Sequence, residues 1–305
     1  MPTQRISTKT LYDAIASSIG ARSQRILKLQ LSVADGRAVR APSDDPVRAQ
    51  QAMWYREQKR ESEQYERTLQ SVTISLSATE NTLSNISDVI SEARDLQVRG
   101  SNDAMENDAR IAYAAQVDQE LELLLSLAND RFAGTYTFGG RNNMTAPYTA
   151  ERDASGRIVG VSTNPRGIEG KLIRRVGPDV LLTVNVAGAD LFGKDGAAFQ
   201  SLIALRTALE MGDGDRIRAM AAPMGSALDR VAKASSVQGA LSGRVDALLG
   251  RAGRELISYE AGRSQAEDLD VAQAVVDLQQ EQVALQAALK SGAQILNLSL
   301  LDYIV

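Results

Sequence analysis

The chain has 305 residues, a net charge of −4 and neither cysteine nor histidine, which closes it to thiolate and imidazole chemistry, whether as nucleophile, base or metal ligand. A mildly acidic chain without a large basic cluster suits neither a nucleic-acid backbone nor an anionic membrane surface. Aromatic residues make up 4% of it against 44% hydrophobic, a mix that favours helix-on-helix packing over an aromatic-rich sandwich or a cofactor pocket.

The opening stretch MPTQRISTKTLYDAIASSIGAR contains no apolar leader core, and no segment reaches the ~18 apolar residues of a membrane span. The expectation is a chain that stays in the cytoplasm or leaves by a route needing no cleaved signal. From Tyr12, the positions Ile15, Ile19, Arg22, Ile26, Leu29 and Val33 step by threes and fours, and only Arg22 interrupts the apolar seam. This is a coiled-coil-type stripe on a helix. Gly36 and Pro42 end it. Ser43, Asp44 or Asp45 can cap the next helix, with Pro46 at its first position. That helix is long, carrying Tyr65, Leu69, Val72, Leu76, Leu83, Ile86 and Ile90 on one face. After a turn at Gly100, a third helix is predicted near 104–130 around Val117, Leu121 and Leu124.

From about 131 to 195 glycine and β-branched residues rise. FAGTYTFGG, GRIVGVST, KLIRRV and DVLLTVNV read as short strands, with a hairpin turn at ASGR. Helix returns with Phe199, Leu202, Ile203 and Leu209, stops at GDGD, and resumes as a long pattern from Ile217 to Tyr259, with Pro223 expected to cap or kink its start. The last segment repeats the four–three step through Val271, Val275, Leu278, Gln282, Leu285, Leu289, Gly292, Leu296, Ser299 and Tyr303.

The predicted fold is mainly α with a β-rich insert (α+β). Its N- and C-terminal segments form a long antiparallel helical bundle or coiled coil, and a small β domain is inserted in the middle. An amphipathic helix cannot bury its own stripe, so the first helix is expected to pack on the last. The expected organisation is terminal assembly segments at 1–40 and 265–305, a helical rod from 41–132 with 197–264, and the insert at 133–196.

Three motifs invite sharper readings. Gly188 to Asp195, GADLFGKD, nearly matches a phosphate loop, but Asp195 stands where the Mg²⁺-binding hydroxyl belongs and opposes phosphate; a turn leaving the insert is the better reading. The adjacent carboxylates of SDDP read as helix caps rather than an acid pair. GDGDR lacks the spacing and terminal Glu of a calcium loop and reads as a turn and cap. No nucleophile elbow or metal-ligand spacing occurs, so the chain is expected not to be an enzyme and to need no cofactor. Trp54 and Tyr55 fit packing or a subunit contact equally.

RISTKTLYDAIASSI, the SDDP helix start, LANDRFAGTYTFGG, the β-rich middle and the ending LDVAQAVVDLQQEQVALQAALKSGAQILNLSLLDYIV, in that order over the whole chain, resemble the flagellin superfamily of bacterial flagellar axial proteins. The NLSLLDYI ending is more similar to its hook–filament junction branch than to filament subunits. The resemblance implies a structural, extracellular protein of the flagellum, exported without a cleaved signal peptide. It implies self-association in the axial structure, a hook-associated neighbour below, flagellin above and an export chaperone, with no nucleic acid or membrane partner; the alternative is a filament subunit. The assembly contacts would then be the seam residues Tyr12, Ile15, Ile19, Ile26, Leu29, Val33, Val271, Val275, Leu278, Leu285, Leu289, Leu296 and Tyr303. The apolar chain end would be covered by the first helix and by neighbouring subunits, and both ends would order only on assembly.

Overall fold

A computed structural model describes residues 8–164 and 166–304. Eight helices and three hairpins follow one another as α1 Thr8–Asp35, α2 Pro46–Gly100, α3 Asn107–Ala128, β1 Arg131–Phe132, β2 Thr135–Tyr136, β3 Tyr148–Arg152, β4 Ile158–Thr163, β5 Ile173–Gly177, β6 Val180–Thr183, α4 Gly188–Phe192, α5 Ala197–Glu210, α6 Gly214–Ala219, α7 Ala221–Glu267 and α8 Val271–Ile304. They divide into two compact units. One holds residues 1–61 and 255–305; the other holds residues 62–254.

The 62–254 unit is built on the stripes that the periodicity marks. Leu83, Ile86, Ile90, Ala93 and Leu96 of α2 are buried with Val117, Leu121 and Leu124 of α3, Leu202, Leu205 and Leu209 of α5, and Met224 and Val231 of α7. Each buried Leu or Ile adds about 1.5–3 kcal/mol of transfer free energy. A second cluster joins Leu69, Val72 and Leu76 to Val245 and to Val176 and Leu182 of the third hairpin. The long pattern expected from Ile217 is two helices: Ile217 belongs to α6, which Asp213 caps by accepting from the Arg216 N–H at 3.0 Å, and Pro223 sits in the first turn of α7. The Ser- and Gly-rich stretch 234–243 stays helical. There Gln238 is buried, its side-chain amide donating to the Leu76 carbonyl.

The insert is three separate antiparallel hairpins, β1–β2, β3–β4 and β5–β6. Ala133 and Gly134, at φ 48° and 84°, supply the left-handed pair that a two-residue hairpin turn requires. In the second hairpin Asp153 Oδ1 accepts from the Ser155 and Arg157 backbone N–H groups, and Gly156 completes the ASGR turn at φ 86°. Strand β3, YTAER, is the one the sequence reading lacks; only Tyr148 in it is fully buried. Tyr148, Phe192 and Phe199 pack together with ring centroids 5.1 Å apart, and Phe138 meets Phe192 edge-on at 5.8 Å. Of GADLFGKD, which the sequence reads as a turn, Gly188–Phe192 instead form the short helix α4 and deliver Leu191 and Phe192 into this core, and the turn is confined to the residues after it.

Candidate assembly surface

The unit at residues 1–61 and 255–305 holds both terminal helices. Helices α1 and α8 pack against each other and run antiparallel: Gly292 lies on Ile15, Arg22 donates to Glu281 at 2.9 Å, and Arg37 forms a backbone bridge with Asp268. On α1 the four–three step places Ile15, Ile19, Ile26, Leu29 and Val33 half-buried, whereas Tyr12 is 54% exposed. On α8 Leu278 and Leu285 are half-buried with Ala284 and Ala288, and Ala274 and Gly292 are buried. Val271, Val275 and Leu289 lie exposed, as do Val276 and Val283. The side chains of Leu296 and Tyr303 fall outside the described residues. Helix α8 therefore carries two neighbouring stripes: a small-residue stripe turned to α1, and an apolar stripe that the chain by itself leaves uncovered.

Charge frames this packing. Residues 1–40 contain seven Lys and Arg against two Asp, while residues 265–305 contain one Lys against six Asp and Glu. Glu281 is shared by Arg22 and Arg25, at 2.9 and 3.3 Å. A groove of about 550 Å³ runs beside this pair, lined by Arg22, Arg25, Lys28, Leu29, Glu281 and Ala284 among others.

Two chain reversals meet at one end of the pair: the loop from α1 to α2 and the turn from α7 to α8. Gly36, at φ 68°, lets the chain leave α1, and its carbonyl accepts from the Leu269 N–H at 2.9 Å. The Ala38 N–H donates to the Glu267 carbonyl at 2.8 Å. Of the SDDP residues, Asp45 is the cap, its Oδ1 accepting from the Val47 and Arg48 N–H groups at 3.1 and 3.0 Å, and Pro46 is the first residue of α2. Asp44 serves the preceding loop. It accepts from the Arg40 and Ala41 N–H groups and pairs with Lys28 at 2.8 Å, which together hold its carboxyl at about 2. Ser43 is exposed in the turn ahead of them.

The side chain of Glu267 is 1% exposed, and three arginines from three segments reach it: Arg37 at 3.0 Å, Arg263 at 3.2 Å, and Arg56. Burial pushes this carboxyl up, but Arg56, Arg263 and Arg37 outweigh it and hold it below its ordinary value. Arg263 also binds Glu260, which Lys59 shares at 2.7 Å; the two cations hold the Glu260 carboxyl at about 2. In the linear sequence only the i,i+4 spacing of Arg263 and Glu267 on α7 hints at this cluster; Arg37 and Arg56 are lone charges on two other segments and carry no period.

Nearby, Trp54 meets Tyr55 and Tyr259 edge-on at 5.0 and 6.1 Å and remains half exposed. A groove of about 580 Å³ lined by Arg48, Gln51, Trp54, Tyr55, Gly262 and Gln265 runs beside it. Among the described residues no acidic cluster is arranged to hold a metal ion, and no helix is long and apolar enough to cross a membrane.

Comparison with known proteins agrees with the resemblance read from the residues. Residues 6–143 match the bacterial flagellin N-terminal helical region. The chain is 30% identical over 157 residues to flagellar hook-associated protein 3 of Escherichia coli (strain K12), a match that covers 51% of this chain and 49% of that protein. It thus spans about half the length of the hook-associated relative it matches. It is also 24% identical over 268 residues to the flagellar filament 30.7 kDa core protein of Treponema maltophilum, covering 86% of this chain and 85% of that one. In fold it is similar to the solved flagellar hook associated protein-3 from Legionella pneumophila, at a TM-score of 0.61 and 13% identity, covering 70% of this chain and 98% of the other. The mainly α architecture with a β insert is thus a hook-associated-protein fold.

Proposed function

We propose that this chain is a structural component of the bacterial flagellum, an adaptor at the hook–filament junction on which the flagellin filament assembles. The observation that carries the reading is the incomplete burial of the terminal pair. α1 and α8 cover one stripe of each other and leave Tyr12, Val271, Val275 and Leu289 facing outward, and apolar faces of this kind need another molecule. The likeness to hook-associated protein 3 over about half of the chain supports the junction as the place where that molecule is met.

In this reading the role is mechanical rather than catalytic. Copies of the chain associate through segments 1–40 and 265–305, with a hook-associated protein below and flagellin above. Residues 41–132 and 197–264 form the rod, and 133–196 project as the insert. The protein leaves the cell through the flagellar export route, with a chaperone shielding its ends and without a cleaved signal. The likeness to a filament core protein over most of the chain supports a second reading, in which the chain is itself a filament subunit.

Deleting the gene separates the two. The junction reading expects hooks without filaments, with flagellin shed as free monomer into the medium on immunoblot. Bare hooks with no flagellin in the medium favour the filament subunit. Normal filaments overturn both.

A further inference from the structure

A cleft of about 190 Å³ lies within the 62–254 unit, where α2 meets the first and third hairpins. Strand pairing accounts for its charge. Arg174 stands directly across from Leu182, and Arg175 across from Leu181. Residues opposite one another on an antiparallel ladder project from the same face. Leu182 is buried with Leu69, Val72 and Leu76 of α2, whereas Leu181 is 60% exposed. Arg174 therefore stands on the face of the hairpin turned to α2, and Arg175 on the face turned to solvent. Among the described residues the lining holds no aspartate or glutamate, and Arg174 has neither an ion pair nor a hydrogen bond.

The polar lining is otherwise hydroxyl and amide. Ser71 and Ser75 come from α2, and Thr137 and Asn143 from the chain after β2. The Thr137 hydroxyl oxygen is buried without a hydrogen-bond partner, a state that costs stability unless something else supplies the bond. The side chains of Ser71, Ser75 and Asn143 likewise make no hydrogen bond among the described residues.

We propose that this cleft binds a small hydroxylated carboxylate, of the size and chemistry of a sugar acid. The guanidinium fork only donates, and it matches a carboxylate through two parallel N–H···O bonds. Hydroxyl and amide side chains both donate and accept, which suits ligand hydroxyls that do the same. The volume equals the liquid share of about six waters at ~30 Å³ each. That is room for one monosaccharide and too little for a nucleotide or a folded peptide. A bare inorganic anion would engage Arg174 and leave the hydroxyl groups around it unused.

Isothermal titration of the full chain with D-glucuronate, beside D-glucose and acetate, tests the assignment. Glucuronate should bind with a dissociation constant of about 1 mM or tighter. Acetate, which keeps the charge without the hydroxyls, and glucose, which keeps hydroxyls without the charge, should each bind about tenfold or more weakly. Arg174→Gln should weaken glucuronate about tenfold or more, while Arg175→Gln, on the opposite face of the same strand, should bind it as the natural chain does. Should Arg174→Gln fail to fold, Thr137→Val provides the reading. It deletes an unpartnered hydroxyl at constant shape, so the fold should be kept and glucuronate binding should fall about threefold or more. Four results overturn the proposal: no heat from glucuronate well above millimolar concentration, acetate binding as tightly as glucuronate, equal losses in Arg174→Gln and Arg175→Gln, or undiminished binding in Arg174→Gln or in a folded Thr137→Val.

Discussion

Leu285 and Leu289 stand one turn apart on α8 and face different surroundings: Leu285 is half-buried against α1, whereas Leu289 is 50% exposed. The chain itself uses the first, and the second is free for a neighbour. Leu285→Asp should therefore weaken α1–α8 packing in the isolated subunit by roughly 1–3 kcal/mol, since it sets a charge against an apolar face. Leu289→Asp should change monomer stability by no more than about 0.5 kcal/mol yet suppress self-association. Local hydrogen exchange and sedimentation of the two variants separate the effects.

Arg22 and Glu281 are 259 positions apart in sequence and 2.9 Å apart in space. Both are partly exposed, so solvent screens the pair. A double-mutant cycle with Arg22→Gln and Glu281→Gln should give a coupling of about 0.5–1 kcal/mol at low salt, declining in molar salt. Arg25 shares the carboxylate, so Glu281→Gln alone should cost more than Arg22→Gln alone.

A Cβ on Gly188 would run into the Tyr148 hydroxyl and the Phe138 carbonyl, both inside the aromatic core. The backbone oxygen cannot swing aside. Gly188→Ala should cost about 1–3 kcal/mol by overpacking, more than the few tenths regained from reduced chain entropy. Thermal denaturation should report a melting point lower by several degrees.

Asp45→Ala removes the side-chain acceptor for two backbone N–H groups at the start of α2 and should cost about 1 kcal/mol. Ser43→Ala should be close to neutral. Denaturant titration of the pair of variants identifies the cap.

The loop bonded by Asp44 should be acid-sensitive. Its carboxyl lies at about 2 against an ordinary 3.8, held first by Lys28 and then by the Ala41 and Arg40 N–H groups. A depressed carboxyl contributes stability that is complete above its ordinary value and disappears as pH falls toward the folded one. Exchange of the Arg40 and Ala41 amides should rise over that interval in the natural chain and be pH-independent there in Asp44→Asn, once intrinsic rates are divided out.

Local chemistry in the sequence determined the long helices and several of their ends, but not the short helix α4, which reads as a turn, nor the break between α6 and α7. The four–three apolar steps, the Gly36 exit, the Pro46 start and the ASGR turn each depend on near neighbours, and a period or a turn residue records them. Strand β3 escaped because YTAER buries only its tyrosine and shows no alternation. On α8 two stripes share the same four–three step, Val271–Val275–Leu278 and Ala274–Leu278–Glu281, and periodicity alone cannot rank them. Tertiary structure decided it: small side chains at Ala274, Ala288 and Gly292 let α1 approach closely, with Gly292 directly on Ile15, which turned the bulkier Val271, Val275 and Leu289 outward. The burial of Glu267 was decided the same way. A carboxylate leaves water only where cations gather to meet it, and Arg37, Arg56 and Arg263 gather there only once the chain has closed on itself.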